Sequence, residues 1–326
     1  MIKTRVTELL GVKYPIICGS MRNVSDARLV AAVSEAGGFA FYGGYHTSQE
    51  LMEEVRKIKA LTRKPFGISI NVVLSQDPQS LQRVCDEELV PLTKAGVGVI
   101  ETVGRLPDSF VKVIKDSKMK WLHRCARVRD VRTAERIGVD AVTIIGYEAA
   151  GLVGAEDVTS MIRIPAAVEA VKIPVIAAGG IGDARSFVAA LALGAEAVLM
   201  GTRFMCTQES LLHPNAKMLM LETPENGLAF LMQNPALRER VINTDFAKKV
   251  RAMETSGASP QELEHLTSGV RHNRAFIDGE INEGPMHCGQ VTGLIHDMPT
   301  CAQVIDKMMS EAEVIGKRLK MWGVFS

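Results

Sequence analysis

Eight short apolar runs, most of them leading into glycine or a polar residue, constrain this chain more than any other feature. They lie at residues 15–20, 38–44, 65–73, 97–104, 119–125, 140–147, 174–180 and 197–204. Helix-like segments separate them, at 25–36, 48–61, 107–116, 131–137, 164–171 and 184–193. Strands that are apolar without alternation are covered on both faces, which is the habit of a parallel sheet inside an α/β protein. Eight such units favour a closed (β/α)8 TIM barrel, with an open doubly wound sheet as the alternative. A chain of 326 residues accommodates one such barrel and an appended segment.

One internal echo fits a repeating architecture. Asp26-Ala27-Arg28 before Val30-Ala31-Ala32 resembles Asp183-Ala184-Arg185 before Val188-Ala189-Ala190. Each copy starts with a carboxylate suited to a helix N-terminus. From about residue 213 the pattern changes: strand-like runs vanish, and Pro214, Pro224, Pro235 and Pro260 punctuate charged helical stretches. The expectation is a barrel from residues 1–212 and 296–326, with residues 213–295 as a smaller helical cap subdomain over its mouth. Residues 75–90 can belong to that cap, and a last helix over 301–321 closes the barrel wall.

Composition removes several function classes. A formal net charge of +1 and 5% aromatic residues offer neither the basic field nor the stacking surface that nucleic acid needs. The six cysteines show no CxxC pair and no metal-ligand spacing, so buried reduced thiols are expected and no metal site is. The first ten residues are charged and lack the apolar core of a signal peptide. No run approaches the ~18 apolar residues of a membrane span. The expectation is a cytoplasmic protein acting on a small molecule, with a homodimer as a candidate assembly.

The strand ends carry the candidate chemistry. In such a barrel, reactive groups sit at the C-terminal ends, and a phosphate is held after the seventh and eighth strands. Those last two ends are Gly179-Gly180, followed by Asp183 and an Ala-rich helix, and Gly201-Thr202. Adjacent bare N–H groups can hold an anion there, or the glycines can merely serve tight turns. The other ends read Gly19-Ser20-Met21, Gly43-Gly44-Tyr45-His46, Asn71, Glu101-Thr102, His123-Arg124 and Tyr147-Glu148. Arg124 is either a fixed cation facing a bound ring or half of an ion pair at the rim. Asn71 can hydrogen-bond a planar heterocycle or satisfy a turn. His46, His123 and His287 are possible acid/base groups, and Glu148 is either that or a helix-turn carboxylate.

No GxSxG, Walker lysine motif, HExxH or GxGxxG after a strand is present. A phosphate cradle without a nucleophile points to a bound cofactor that carries the chemistry. Read end to end, the chain resembles the nitronate monooxygenase (2-nitropropane dioxygenase-like) family of flavin mononucleotide barrels. The resemblance rests on Pro15-Ile16-Ile17-Cys18-Gly19-Ser20-Met21, Ser34-Glu35-Ala36-Gly37-Gly38, Pro65-Phe66-Gly67 ahead of Asn71, Gly179-Gly180-Ile181, Gly201-Thr202-Arg203-Phe204, Glu209-Ser210, His213-Pro214 and Gly289-Gln290.

The resemblance implies FMN, its phosphate at Gly179, Gly180, Gly201 and Thr202, and its ring near Ser20, Met21, Asn71 and Arg124. Gly151 and Gln290 are further candidates for the same cofactor, and Arg124, His46 and His287 are the candidates for the chemistry. In the family the asparagine follows Pro-Phe-Gly more closely, at the place Ser69 holds here. A larger departure is Leu152, in Glu148-Ala149-Ala150-Gly151-Leu152-Val153-Gly154, where nitronate oxidisers carry a histidine base. Leucine has no proton to exchange. The run Leu152-Val153-Gly154-Ala155-Glu156-Asp157 and the tail after Gly284 look closer to the NAD(P)H:quinone reductase branch of the family, a resemblance that implies NADH or NADPH as electron donor and a quinone or activated alkene as acceptor. Nitronate oxidation is the second expectation. A non-redox phosphosugar isomerase or aldolase, or a protein that binds FMN without turnover, stands further off.

Overall fold

The computed structural model describes residues 2–44, 47–72, 77–104, 106, 108–232, 238–266 and 269–323. Every one of the eight apolar runs contains a barrel strand. These are β1 (Ile16–Cys18), β2 (Phe39–Tyr42), β3 (Gly67–Asn71), β4 (Val99–Val103), β5 (Lys120–Cys125) and β6 (Ala141–Ile145). After a short β7 (Gly151–Leu152) outside the barrel come β8 (Val175–Ala178) and β9 (Ala197–Met200). Parallel pairing follows chain order around the ring, and β9 returns to β1 through Ile16↔Val198 and Cys18↔Met200. The barrel is closed, and the open-sheet alternative falls.

Alternation along each strand divides the core into two shells. Inside, Ile17, Phe39, Phe41, Val99, Leu122, Ala141, Ile176, Ala178, Ala197 and Leu199 pack together with Val6 and Leu10. The last two come from the Arg5–Leu10 helix, whose Arg5 binds Lys172 O and Glu196 just ahead of β8 and β9, so this helix plugs the N-terminal end. Gly67 is required by the rings it faces: a Cβ there would approach Phe41 Cε1 to 2.4 Å. Outside, residues such as Ile16, Ile68, Ile100, Trp121, Val142 and Val198 meet the surrounding helices. Each such buried aliphatic side chain contributes about 1.5–3 kcal/mol.

Two helices start where their carboxylates said they would. Asp26 accepts from Leu29 N at 2.9 Å and opens Ala27–Glu35, while Asp183 accepts from Ser186 N at 3.0 Å and opens Ala184–Ala192. The Cys301–Met321 helix packs against both and completes the wall, as expected. The segment that could have joined the cap instead forms the crossover between β3 and β4. It runs Pro78–Val84, a π turn Cys85–Leu89, then Val90–Lys94. Its Leu81, Cys85, Leu89 and Leu92 enter the outer shell.

The region after residue 213 corrects the purely helical expectation. Besides the helices Pro214–Glu222, Asp245–Thr255, Pro260–Leu266 and Gly269–Phe276, it holds β10 (Leu228–Leu231) and β11 (Glu239–Ile242). These join β7 in an antiparallel sheet of order β10-β11-β7. Charged residues hid the strand: the guanidiniums of Arg238 and Arg240 both lie 4.3 Å from the Phe230 ring centroid, and Arg240 is also 4.5 Å from that of Tyr147. Leu231, Val241, Phe246, Val250 and Leu263 form the small core behind this sheet. Residues 284–289 lead into a 3-10 turn, Gln290–Leu294. All six cysteines are buried and unpaired, in line with the spacing. Among the described residues no helix is long and apolar enough to cross a membrane.

Candidate functional site

Toward the C-terminal strand ends the barrel lining changes from apolar to polar. Ser69, Glu101, Arg124 and Thr143 each follow an inward residue (Gly67, Val99, Leu122 and Ala141) by two positions, so they point inward one layer higher. Glu101 is fully buried and Arg124 keeps 15% of its side chain exposed. Arg124 grips the carboxylate with two prongs: Nε donates to Oε1 at 3.2 Å and Nη2 to Oε2. Ser69 Oγ adds a third donor to Oε2 at 3.0 Å, and Arg124 Nη2 also reaches Ser20 Oγ at 3.3 Å. A buried carboxylate without such partners costs several kcal/mol. The guanidinium is therefore neither solitary nor a loose rim pair. Its plane is set by Glu101.

Glu101 had no role in the sequence pattern, although a signal was there. A carboxylate inside Val99-Ile100-Glu101-Thr102-Val103 demands a cation, and the next run offers Arg124. Asn71 takes the inward position above Ser69 and stands exposed at the rim. The two candidates for the family's asparagine thus occupy successive layers of one strand. Thr143 Oγ1 is buried and finds no partner among the described residues.

Across the mouth, β8 ends in Gly179 and Gly180, at φ 92° and 74°. Only glycine holds both turns cheaply, and a Cβ on Gly179 would also meet the backbone N and O of Gly146 at 3.1 Å. β9 ends in Gly201, beside the Met21 side chain. Gly289 N donates to Thr202 Oγ1 at 3.1 Å, and Gln290 N to Glu148 O at 2.9 Å. Met21, Gly179-Gly180, Gly201-Thr202 and Gly289-Gln290 are thereby brought together. Among the described residues the chain's own hydrogen bonds leave the N–H groups of Gly180, Gly201 and Thr202 unused. Three neighbouring bare amides suit an anionic oxygen group.

The remaining candidates separate cleanly. Glu148 accepts from Ser160 N at 3.0 and 3.1 Å and caps the Ser160–Ala170 helix, so its role is architectural. His123 is buried, and its Nδ1 lies 2.8 Å from Thr102 Oγ1, which itself accepts from Trp121 Nε1 at 2.9 Å. Burial lowers its pKa to about 4, which keeps the ring neutral and structural. His46 lies outside the described residues. Gly151 and Leu152 form β7, opposite Arg240 and Glu239 respectively.

His287 bonds through Nε2 to Glu239 Oε2 at 2.9 Å, and its ring centroid lies 5.1 Å from that of His272. Neither Glu239 nor His272 carried a sequence signal. Their segments are brought together only by the antiparallel sheet and the Gly269–Phe276 helix.

Comparison with known proteins gives the family and the fold. The nitronate monooxygenase family model matches residues 3–311. The solved structure of FabK from Thermotoga maritima is 32% identical, covers 99% of this chain and 100% of its own, and superposes with a TM-score of 0.91. A (3aS,4S,5R,7aS)-5-hydroxy-7a-methyl-1-oxo-octahydro-1H-indene-4-carboxyl-CoA dehydrogenase from Rhodococcus jostii is 29% identical, over 95% of this chain and 96% of its own. A probable nitronate monooxygenase from Staphylococcus aureus is 29% identical, over 84% and 88%.

Proposed function

The chain belongs to the nitronate monooxygenase family, and from that premise we propose an FMN-dependent oxidoreductase that uses NADH or NADPH to reduce an activated alkene or a quinone. The bare amides of Gly180, Gly201 and Thr202 fit the FMN phosphate, with Gly179 shaping the turn. Ser20, Met21, Asn71 and Arg124 are the residues proposed for its ring, with Gln290, bonded to Glu148 O, and Gly151 as further proposed contacts. When bound, FMN supplies a hydride acceptor and donor at N5. Arg124, held by Glu101, donates hydrogen bonds from a fixed plane and favours negative charge developing opposite it. The apolar inner shell beneath keeps water from the reacting face.

Leu152 is the observation that carries the choice of reaction. It lies on β7, at the place where the resemblance puts the base of nitronate oxidisers, and it can accept no proton. Hydride transfer from a nicotinamide needs no base at that position. The similarity to FabK and to a carboxyl-CoA dehydrogenase supports this reading, and the latter makes an α,β-unsaturated thioester the first alkene to try. The family match itself keeps nitronate oxidation as the second reading.

Steady-state assays separate the two. Purified enzyme is expected to couple NADH or NADPH oxidation to menadione or crotonyl-CoA, with only slow O2 uptake on propyl-2-nitronate. Leu152→His is expected to raise the nitronate rate. A wild type faster on the nitronate than on any nicotinamide-coupled acceptor would establish the second reading. A colourless protein without flavin would leave a non-redox barrel.

A further inference from the structure

We infer that His287, positioned by Glu239, donates the proton that completes alkene reduction, in place of any group at Leu152. The inference rests on the alkene-reductase reading above. Glu239 is the direct cross-strand partner of Leu152 in the antiparallel β11–β7 pair. Facing residues in such a pair have Cβ atoms about 4.5–5.5 Å apart. The carboxylate therefore stands one side chain away from the position that a base would hold. His287 is tied to the same strand twice, by its ring to Glu239 and by a backbone bridge to Val241. Two residues further on, Gly289 is bonded to Thr202 at the proposed phosphate cradle. The imidazole thus belongs to a segment whose Cα atoms reach the cradle within about 8 Å. Both partners stay partly open, at 20% and 23% side-chain exposure.

The hydrogen bond assigns the ring atoms. Nε2–H points to the carboxylate, so Nδ1 is the nitrogen left to exchange a proton with a substrate. Three groups face this imidazole or its neighbour: Glu239 from β11, His272 from the Gly269–Phe276 helix, and Arg22 from the loop after β1. His272 is uncharged, because burial, then His287 and Arg22, push its pKa well below the ordinary value. Its Nδ1 is buried and unpartnered among the described residues. His287 is the one of the two rings that has a carboxylate to support a positive charge.

A hydride that originates in NAD(P)H adds to the β-carbon of an alkene conjugated to a carbonyl. The π pair moves to the α-carbon and takes the proton from His287 Nδ1, and water then recharges the neutral ring. The net change is alkene plus NAD(P)H plus H+ to alkane plus NAD(P)+. An acceptor that takes electrons without protonation at carbon does not need His287.

The test compares crotonyl-CoA with ferricyanide as acceptors for NAD(P)H in wild type, His287→Gln and Glu239→Gln. With crotonyl-CoA, His287→Gln is expected to lose about a hundredfold in kcat. Glu239→Gln loses less, and ferricyanide reduction follows wild type in both. Histidine 15N NMR of the flavin-stripped protein is expected to find the neutral His287 proton on Nε2, and to find that preference lost in Glu239→Gln. Equal losses with both acceptors, no loss with crotonyl-CoA, or a proton on Nδ1 would overturn the inference alone. A wild type that reduces ferricyanide but no alkene would instead overturn the alkene reading on which it rests.

Discussion

Arg124 was legible as a cation at the barrel mouth, because an arginine ending an apolar strand has few other uses. Its partner Glu101 stood out only as a carboxylate inside an apolar run, 23 residues earlier, and the pairing itself needs the β4–β5 register to exist. His123, its neighbour in sequence, points the other way and has the opposite fate. An unfolded chain protonates this ring near pH 6.5, whereas burial holds the folded ring neutral until about pH 4. Between those values the unfolded state binds the extra proton, so stability falls as pH drops. The contribution is whole above about pH 6.5 and is drained by pH 4, a difference of about 3 kcal/mol. Urea unfolding from pH 7 to 4 should show this slope in wild type, and His123→Gln should flatten it. Parallel slopes in the two proteins would contradict the assignment.

At the scale of elements, the barrel strands were readable because each is continuous, apolar and closed by a turn. The sheet β10-β11-β7 was not, because Gly151–Leu152 is only two residues long and shows no period. In β11, Arg240 lays its guanidinium on Tyr147 and Phe230 and donates to Tyr147 O and Ala149 O, so a charge marks a buried strand. The glycine turn after β8 is where element and function meet. Gly179→Ala would force a side chain into left-handed backbone against Gly146, a strain of about 1–2 kcal/mol or more. The variant is expected to melt lower and to purify with less flavin per chain than wild type. Full flavin occupancy in a folded Gly179→Ala protein would remove that turn from the cradle.

For the whole molecule, eight regular units sufficed to specify a closed barrel, and the Asp26 and Asp183 caps echo that repeat. The plug formed by the Arg5–Leu10 helix gave no advance signal, since its two core residues are defined only by the barrel end they fill. The small sheet and its neighbours depend on contacts between distant segments: Leu152 with Glu239, Glu239 with His287, Gly289 with Thr202. The fold was therefore written in local pattern, and much of the site in long-range pairing. The central proposal is that this mouth binds FMN and that a nicotinamide reduces it. Anaerobic mixing of the purified protein with NADH, NADPH or propyl-2-nitronate, followed at the flavin absorbance band, tests this most directly. Rapid bleaching by at least one nicotinamide and little by the nitronate is the predicted result. Bleaching by the nitronate alone, or the absence of any flavin band to bleach, would contradict it.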